Sequence, residues 1–280
     1  MMKKLFIYLA IFFVASKAKA QYLESFEHAG EIGISVGMAH YFGDLNPDIV
    51  ANRPKQSAAL HYTKQFNNYI GIKLSATYAF LGYSDKYSKN IVQQTRNLSF
   101  NTNVWEFTAN GTFNFFKFHP GFEGYDYTPY VGLGFGIFTF DPYTYLAGEK
   151  INLRELGTEG QGSQYYPTKQ PYKNYAFCIP LTLGFKYALN TNVNIFTEFR
   201  YRFTNTDYLD DVSTTYATNA FVPNSSGYLL NDRSYETGVV IGKDGKQRGN
   251  TLGNDAFATF HLGISFNLES YKCPDEKYRY

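Results

Sequence analysis

The chain has 280 residues, with 26 Lys and Arg against 24 Asp and Glu, which gives a formal net charge of +2. Four lysines and no acid lie in the first twenty residues, so the remainder has a net charge of −2 and lacks the basic field of a nucleic-acid-binding protein. The 26 Tyr, 26 Phe and 24 Gly favour a membrane β-barrel, in which aromatic girdles and lumen glycines recur.

Residues 1–20 have the three parts of a secretory signal peptide. Lys3 and Lys4 form a basic start, an eleven-residue apolar run follows, and small residues precede a predicted cut between Ala20 and Gln21. Eleven residues span about 16 Å as a helix, which is too short for a membrane anchor. No cysteine stands at the cut, which argues against a lipoprotein, and no later apolar run reaches eighteen residues.

The mature segment, 21–280, alternates between apolar and small or polar residues with a period of two. This pattern is typical of strands that lie between lipid and a polar lumen. We therefore predict an all-β fold, an eight-stranded antiparallel transmembrane β-barrel with its loops over 29–268 and a periplasmic tail at 269–280. The predicted strands are 31–42, 57–66, 69–80, 103–115, 129–140, 176–187, 193–204 and 257–268.

Short and long connections alternate along the chain. The short ones are 67–68, 116–127 and 190–192, and the long ones are 43–56, 82–98, 141–175 and 205–256. Outer-membrane barrels have short periplasmic turns and long extracellular loops, so both termini are predicted to be periplasmic. In the longest connection, a strand-like piece at 237–241 and a turn at 243–245 predict a β-hairpin.

Charged residues on the lumen face form the first candidate site. A buried charge without a partner costs several kcal/mol, so these residues are expected to pair. An eight-stranded barrel is barely wide enough for its own side chains, which favours a packed, salt-bridged lumen over a conductive pore or gate. The predicted network consists of Glu31, Lys73, Glu106, Lys186, Glu198, Arg200 and Arg202.

The second candidate is the segment TDYLDDV at 206–212, in which Asp207, Asp210 and Asp211 surround Tyr208. Three carboxylates in five residues offer the oxygen ligands that Ca²⁺ prefers. The segment lacks the glycine and the distant Glu of a recognised calcium loop. A solvated, ordered loop base is the favoured interpretation, and a calcium site is the alternative.

Cysteine and histidine give no clear site. Cys178 is predicted in the lumen about 30 Å of strand above the periplasmic end, so a disulfide with Cys273 requires a tail that folds into the barrel. Cys273 is then either free or paired with another protein. His61 and His261 fall on the lumen face, and the five histidines show no metal-ligand spacing. No nucleophile, base and orienting group come together, so we predict neither enzymatic activity nor a cofactor.

Several segments resemble the PorG-like outer-membrane β-barrel family of Bacteroidota, which is associated with the type IX secretion system. They are GEIGISVGMAHYFGDL at 30–45, YTPYVGLGFGIF at 127–138, IPLTLGFKY at 179–187 and TDYLDDV at 206–212. The aromatic-rich final strand with its Lys-Cys-Pro sequence at 272–274 is also similar. The resemblance spans nearly the whole mature chain, and TDYLDDV is its most specific part.

The resemblance implies an accessory, structural barrel of a protein secretion and gliding machine, surrounded by outer-membrane lipid. It also implies contact with a periplasmic ring built from PorK-like and PorN-like proteins, through residues 21–28, 116–127 and 269–280. The alternative is an adhesin, receptor or small-solute channel that acts through the long outer loops. A lipid-modifying enzyme is a weaker third hypothesis.

Overall fold

The computed structural model describes residues 28–47, 52–251 and 253–269. This part of the chain contains eight long strands, which alternate in direction, and two short ones between the fifth and the sixth long strand. They are β1 (His28–Phe42), β2 (Lys55–Gln65), β3 (Ile70–Ser84), β4 (Ser99–Asn114), β5 (Tyr127–Thr139), β6 (Tyr143–Leu146), β7 (Glu149–Asn152), β8 (Tyr175–Ala188), β9 (Val193–Thr204) and β10 (Ala256–Glu269). The predicted signal peptide with its cut at Ala20 and Gln21, and the predicted tail with Cys273, lie outside the described residues.

The eight long strands close into one antiparallel barrel. Their order is β3-β2-β1-β10-β9-β8-β5-β4, and β3 pairs with β4 to complete the circle. The eight-stranded fold predicted from the sequence is therefore confirmed. β3 and β4 extend beyond their predicted ends, because Ser84 and Ser99 still pair with each other.

The outward face of the barrel is an exposed apolar belt. Directly opposite residues on neighbouring strands point to the same face, so the pairs Ile34–Ile264 and Val36–Leu262 place four exposed aliphatic side chains side by side. Lys64 also faces outward, near the end of β2. Because every backbone donor and acceptor of a closed barrel is paired between strands, this apolar outer face is suited to lipid. No helix in the described part of the chain is long and apolar enough to cross a membrane.

The barrel has two different ends, which we call the short-turn end and the long-loop end. The short-turn end carries the connections 66–69, 115–126 and 189–192, and both β1 and β10 have their outer termini there, with His28 opposite Glu269. In two of these connections an asparagine closes the turn. The side chain of Asn67 accepts hydrogen bonds from the backbone of Tyr69 and Ile70, and Asn190 does the same two and three residues further on.

The long-loop end is covered by folded connections, which we call the long-loop cap: residues 43–47, 85–98, 140–174, 205–251 and 253–255. The cap contains the short helices α1 (Ile91–Arg96), α2 (Leu153–Leu156) and α3 (Ser226–Asn231), together with three 3₁₀ turns. Its β6–β7 hairpin continues the sheet, because Tyr143 pairs with Asn101 of β4.

The hairpin predicted in 205–256 is wrong. In the described part of that connection the β-pairing is one isolated bridge between Thr215 and Gln247. The predicted strand at 237–241 is not a strand. Its first residue, Thr237, ends a 3₁₀ turn, and the next residue, Gly238, has a left-handed backbone with φ 83°. The Ser234 side chain accepts the backbone N–H of Ile241, so a side chain takes the bond that a partner strand would have made.

The hydrophobic core lies at the long-loop end. There the inward face of the strands becomes apolar, with Val104, Phe138 and Phe257 buried inside the barrel. Leu45 and Leu209 of the cap pack into the same cluster. The barrel is therefore closed at this end by a core like that of a soluble domain, which anchors the cap on the strands.

Candidate functional site

The structure places all seven predicted charged residues inside the barrel, and none of them is more than 6% exposed. Three of them follow one another on β9, where Glu198, Arg200 and Arg202 share the inward face because successive side chains of a strand point to opposite sides. Neighbouring members of this row lie about 7 Å apart along the strand. Side chains from β1, β3, β4 and β8 complete the network across the lumen.

Glu198 is the centre of the network. One of its carboxylate oxygens accepts hydrogen bonds from Lys73 Nζ at 2.5 Å and from the hydroxyl of Tyr130 at 2.8 Å. The other accepts from the Arg200 guanidinium at 2.5 Å. Both oxygens are therefore engaged by charged or polar donors, which offsets the cost of burying the carboxylate.

Glu106 holds the second pair, nearer the long-loop end. Arg202 approaches it with Nε at 3.0 Å and a terminal nitrogen at 2.8 Å, the forked geometry that suits a carboxylate. The Arg202 guanidinium also donates to Thr259 at 2.6 Å and lies 4.9 Å from the ring centre of Phe257. Arg202 therefore joins the polar lumen to the apolar core above it.

Glu31 forms the third pair, nearer the short-turn end. Lys186 Nζ donates to one of its oxygens, and His61 Nε2 lies 3.9 Å from the other. Phe118, from connection 115–126, covers this end with its ring 5.3 Å from Lys186 Nζ. Two internal cavities near Glu31 have volumes of about 10 Å³ each, enough for about one water molecule. The lumen is therefore packed and salt-bridged.

Cys178 and the lumen histidines add to this packing. The buried thiol of Cys178 lies 3.5 Å from Glu106 Oε1. His261 is within hydrogen-bond distance of the hydroxyls of Ser35 and Ser57, at 3.2 and 2.9 Å. Among the described residues, no three His, Cys, Asp or Glu side chains are grouped so that they could hold a metal ion.

The carboxylates of the TDYLDDV segment turn into the cap, each toward different partners. Asp207 accepts a hydrogen bond from the Ser213 hydroxyl at 2.6 Å. Asp211 accepts from the hydroxyls of Thr158 and Tyr172, the latter at 2.7 Å. The ring of Tyr208 stacks on that of Tyr172, with 4.6 Å between ring centres. The segment is therefore an ordered loop base, but the prediction that it is solvated is wrong, because Asp210 and Asp211 are buried against their hydrogen-bond partners.

Asp210 belongs to a buried cluster that the sequence did not reveal. The hydroxyl of Tyr41, at the end of β1, lies 2.5 Å from Asp210 and 2.9 Å from Asp255. Tyr41 has one hydroxyl proton, so it can donate a full hydrogen bond to only one of the two carboxylates. Burial raises the pKa of both Asp210 and Asp255 well above the usual value. Asp255 also accepts the backbone N–H of Leu209, so the start and the end of connection 205–255 meet at Tyr41.

Arg248 is the centre of a second cluster that the sequence did not reveal. One of its terminal nitrogens donates to the carbonyl of Asp211 at 2.7 Å and to Glu159 Oε1 at 3.1 Å, and its Nε donates to the carbonyl of Asn231 at 3.1 Å. Glu159 also accepts the backbone N–H groups of residues 213 and 214. Connections 140–174 and 205–255 are thus tied together by one buried ion pair.

Arg96 of α1 links the remaining connections. It forms a two-pronged pair with Asp85, at 2.7 and 2.8 Å, and donates to the carbonyls of Arg248 and Asp44 at 2.7 and 3.1 Å. The four long connections therefore form one hydrogen-bonded layer. No local motif marks Asp85, Arg96 or Arg248, which explains why sequence reasoning missed them.

The long-loop cap should loosen as the pH rises from about 4 to about 7. Burial raises the pKa of Asp207 to about 7 and the pKa of Asp44 and Asp211 to about 6. The folded cap therefore holds protons that the unfolded segments have already released, so its stability falls as the pH rises. This contribution is fully present below the ordinary Asp pKa of about 3.9 and is lost above about pH 7.

Hydrogen exchange at about pH 5 and about pH 8, corrected for intrinsic exchange rates, tests this dependence. Peptides from 205–251 should be less protected at the higher pH, and peptides from β9 should keep their protection. Equal protection of the 205–251 peptides at both values would contradict the prediction.

One protein-family model matches most of the chain, from within the predicted signal peptide to a point before β10. The model described as "Domain of unknown function (DUF6089)" matches residues 3–241. The chain belongs to the DUF6089 family. No curated protein matches the chain significantly.

Solved structures similar to this DUF6089 protein include outer-membrane barrels. Ail, the attachment invasion locus protein of Yersinia pestis, is 12% identical and covers 85% of this chain and 99% of its own, with a TM-score of 0.40. Neisserial surface protein A is 12% identical over 85% of this chain and 97% of its own, with a TM-score of 0.42. OprG of Pseudomonas aeruginosa is 13% identical over 87% and 98%, with a TM-score of 0.38. This likeness concerns the fold alone.

Proposed function

We propose that this DUF6089 protein is a non-conducting scaffold barrel, a structural accessory component of a type IX protein secretion and gliding machine. The observation that carries the proposal is the packed lumen, in which Glu31, Glu106 and Glu198 are all paired with cations. In this proposal the barrel does not conduct solutes, and the protein acts through its two ends. The type IX assignment is supported by the sequence resemblance to PorG-like barrels.

In this proposal the short-turn end faces the periplasm and the long-loop cap faces outward. Short periplasmic turns and long outer loops are the usual arrangement of such barrels. His28 and Glu269 are paired at the short-turn end, so residues 21–27 and 270–280 continue from that end. The resemblance to PorG-like barrels implies that residues 21–28 and 269–280 contact the periplasmic partner together with the short connection 116–127.

The contact surface for a periplasmic partner is built around connection 115–126. Phe122, at its tip, is 58% exposed, and its ring lies 4.2 Å from that of His119. Backbone hydrogen bonds between His119 and Tyr125 and between Phe122 and His119 hold the turn in shape, and Lys117 Nζ lies 5.0 Å from the Tyr125 ring. Exposed, pre-shaped aromatic side chains are typical anchors of protein–protein interfaces. The proposed partners are ring proteins of the PorK-like and PorN-like kind.

Co-purification from detergent-solubilised outer membrane tests this function. The wild-type protein should recover the ring proteins, and Phe122→Ala should lower their recovery about tenfold or more, as expected for an interface anchor. Tyr165→Ala is the control, since Tyr165 is an aromatic residue of the long-loop cap that is even more exposed than Phe122. Failure of the wild-type protein to recover any ring protein, together with normal secretion after deletion of the gene, would overturn the proposal.

A second candidate function is an adhesin or receptor that acts through the long-loop cap. The observation that favours it is the buried polar framework around Arg248 and Asp210, which gives the cap a defined shape. This function predicts that deletion leaves secretion normal and abolishes binding to a surface or a ligand. A small-solute channel receives no support from the packed lumen.

A further inference from the structure

A cavity of about 760 Å³ lies between the long-loop cap and the rim of the barrel. Its volume falls within the range of about 300–1,000 Å³ that is typical of small-molecule sites. Phe42 of β1 and Tyr201 of β9 line it on the side of the barrel, with their ring centres 5.8 Å apart. Asp44, Asp207 and Tyr216 of the cap line it on the other side.

Tyr216 gives this cavity a polar group that is not satisfied. Its side chain is buried, with 1% exposure, and its hydroxyl has no hydrogen-bond partner among the described residues. Buried hydroxyls are normally hydrogen-bonded, and an orphaned one costs free energy. A ligand whose binding in the cavity uncovers this hydroxyl and bonds to it would remove that cost.

The two carboxylates in the cavity wall each keep one oxygen for a ligand. Asp44 Oδ2 accepts the backbone N–H of Asn250 at 2.9 Å, and Asp207 Oδ2 accepts the hydroxyl of Ser213 at 2.6 Å. Their Oδ1 atoms have no hydrogen-bond partner in the described part of the chain, and neither carboxylate forms an ion pair there. Both oxygens are strong acceptors that suit hydroxyl donors.

The cations in the same wall argue against a charged ligand. Arg96, Arg248 and Lys246 line the cavity. The two guanidinium groups already donate to Asp85, Glu159 and backbone carbonyls, and Lys246 Nζ donates to the carbonyl of Ile241 at 3.2 Å. They are therefore poor donors for an anion such as phosphate. Their positive charges also disfavour a cationic ligand beside Asp44, so the mixed lining suits a neutral molecule.

We propose that this cavity is a binding site for a neutral saccharide. The apolar face of a sugar ring would pack on Phe42 and Tyr201, and sugar hydroxyls would donate to Asp44 and Asp207 and bond to Tyr216. The cavity reaches the aromatic rim of the barrel, so the sugar has two possible sources: the headgroup of a glycolipid in the same leaflet, or a free oligosaccharide. The proposal is independent of the secretion role and goes beyond it.

Titration calorimetry on the folded, detergent-solubilised protein tests the site. The probes are maltohexaose, cellohexaose, a neutral galactosyl diacylglycerol, and the galactosylglycerol released from that lipid by deacylation. At least one should bind saturably. A preference for the intact lipid over its released sugar identifies the glycolipid, and equal binding identifies the free sugar. Inorganic phosphate and choline are the anionic and cationic comparison probes.

Tyr216→Phe removes only the orphaned hydroxyl and should weaken saccharide binding about threefold to tenfold. Asp207→Asn keeps the shape of the side chain and should weaken binding about tenfold. Tyr165→Phe and Asp141→Asn, which change a tyrosine and an aspartate of the cap outside the cavity, should bind like the wild-type protein. Heat-modifiable migration on a gel establishes that each variant is folded.

Three outcomes would overturn the proposal: no saturable binding of any saccharide, binding that Tyr216→Phe and Asp207→Asn leave unchanged, or binding of phosphate or choline in place of the saccharides.

Discussion

Replacement of Glu198 by alanine should destabilise the barrel by about 3–5 kcal/mol, the usual cost of removing one partner of a buried ion pair. The carboxylate accepts hydrogen bonds from Lys73, Arg200 and Tyr130, and its loss leaves two cations in the lumen without their shared counter-ion. No other carboxylate lies close enough to Lys73 to form an ion pair in the described part of the chain. Rearrangement of the lumen around Lys73 and Arg200 would cost free energy, because the lumen is packed on all sides.

Urea titration of the refolded barrel, read by heat-modifiable migration, measures this loss. Glu123→Ala is the matched control, because Glu123 is an exposed glutamate of connection 115–126, and its replacement should change stability by no more than about 0.5 kcal/mol. If Glu198→Ala were as stable as this control, the ion-pair network would not hold the lumen together. Steady porin-like conductance of the wild-type protein in a planar bilayer would contradict the packed lumen itself.

Replacement of Arg248 by alanine should unfold the long-loop cap and leave the barrel intact. Glu159 and Asp211 are fully buried beside Arg248, so the substitution leaves carboxylates inside the cap without their cation. The expected cost is again about 3–5 kcal/mol. This loss of free energy weakens the contacts between connections 140–174 and 205–255. The strands of the barrel do not depend on Arg248 and should keep their stability.

Limited proteolysis distinguishes the two parts. Arg248→Ala should be cut within 140–174 and 205–255 at least tenfold faster than the wild-type protein and should keep its heat-modifiable migration. Lys243→Ala, an exposed cation of the same connection, should behave like the wild-type protein. Unchanged resistance of Arg248→Ala would show that the cap does not rest on this ion pair.

The local pattern of the sequence was sufficient to predict the barrel fold. It also predicted on which face of its strand each residue lies. The period of two assigned Ile34 and Val36 to the outer face and Glu31 to the lumen, and the structure places them there. Such assignments need only the geometry of a single strand, in which neighbouring side chains point in opposite directions. The same local reasoning predicted that the lumen charges would be paired.

Local sequence patterns predicted the β-hairpin in the wrong long connection. The strand-like piece at 237–241 suggested a hairpin, but Ser234 and Gly238 give it a different backbone course. The β6–β7 hairpin formed in connection 140–174, where Tyr143 meets the edge offered by the extended end of β4. Tertiary contacts decided both cases, because a short segment with moderate strand propensity follows the pairing surface that is available.

Only the tertiary structure decided which groups pair. Lys73 and Glu198 are 125 residues apart, and they meet because the barrel brings β3 and β9 to opposite walls of one narrow lumen. Tyr41, Asp210 and Asp255 likewise come from the two ends of connection 205–255 and from β1. The sequence by itself determined the face of each strand residue, since the period of a strand is local. Closure of the barrel and packing of the cap determined which side chains pair, since the distances between these side chains depend on the fold of the whole chain.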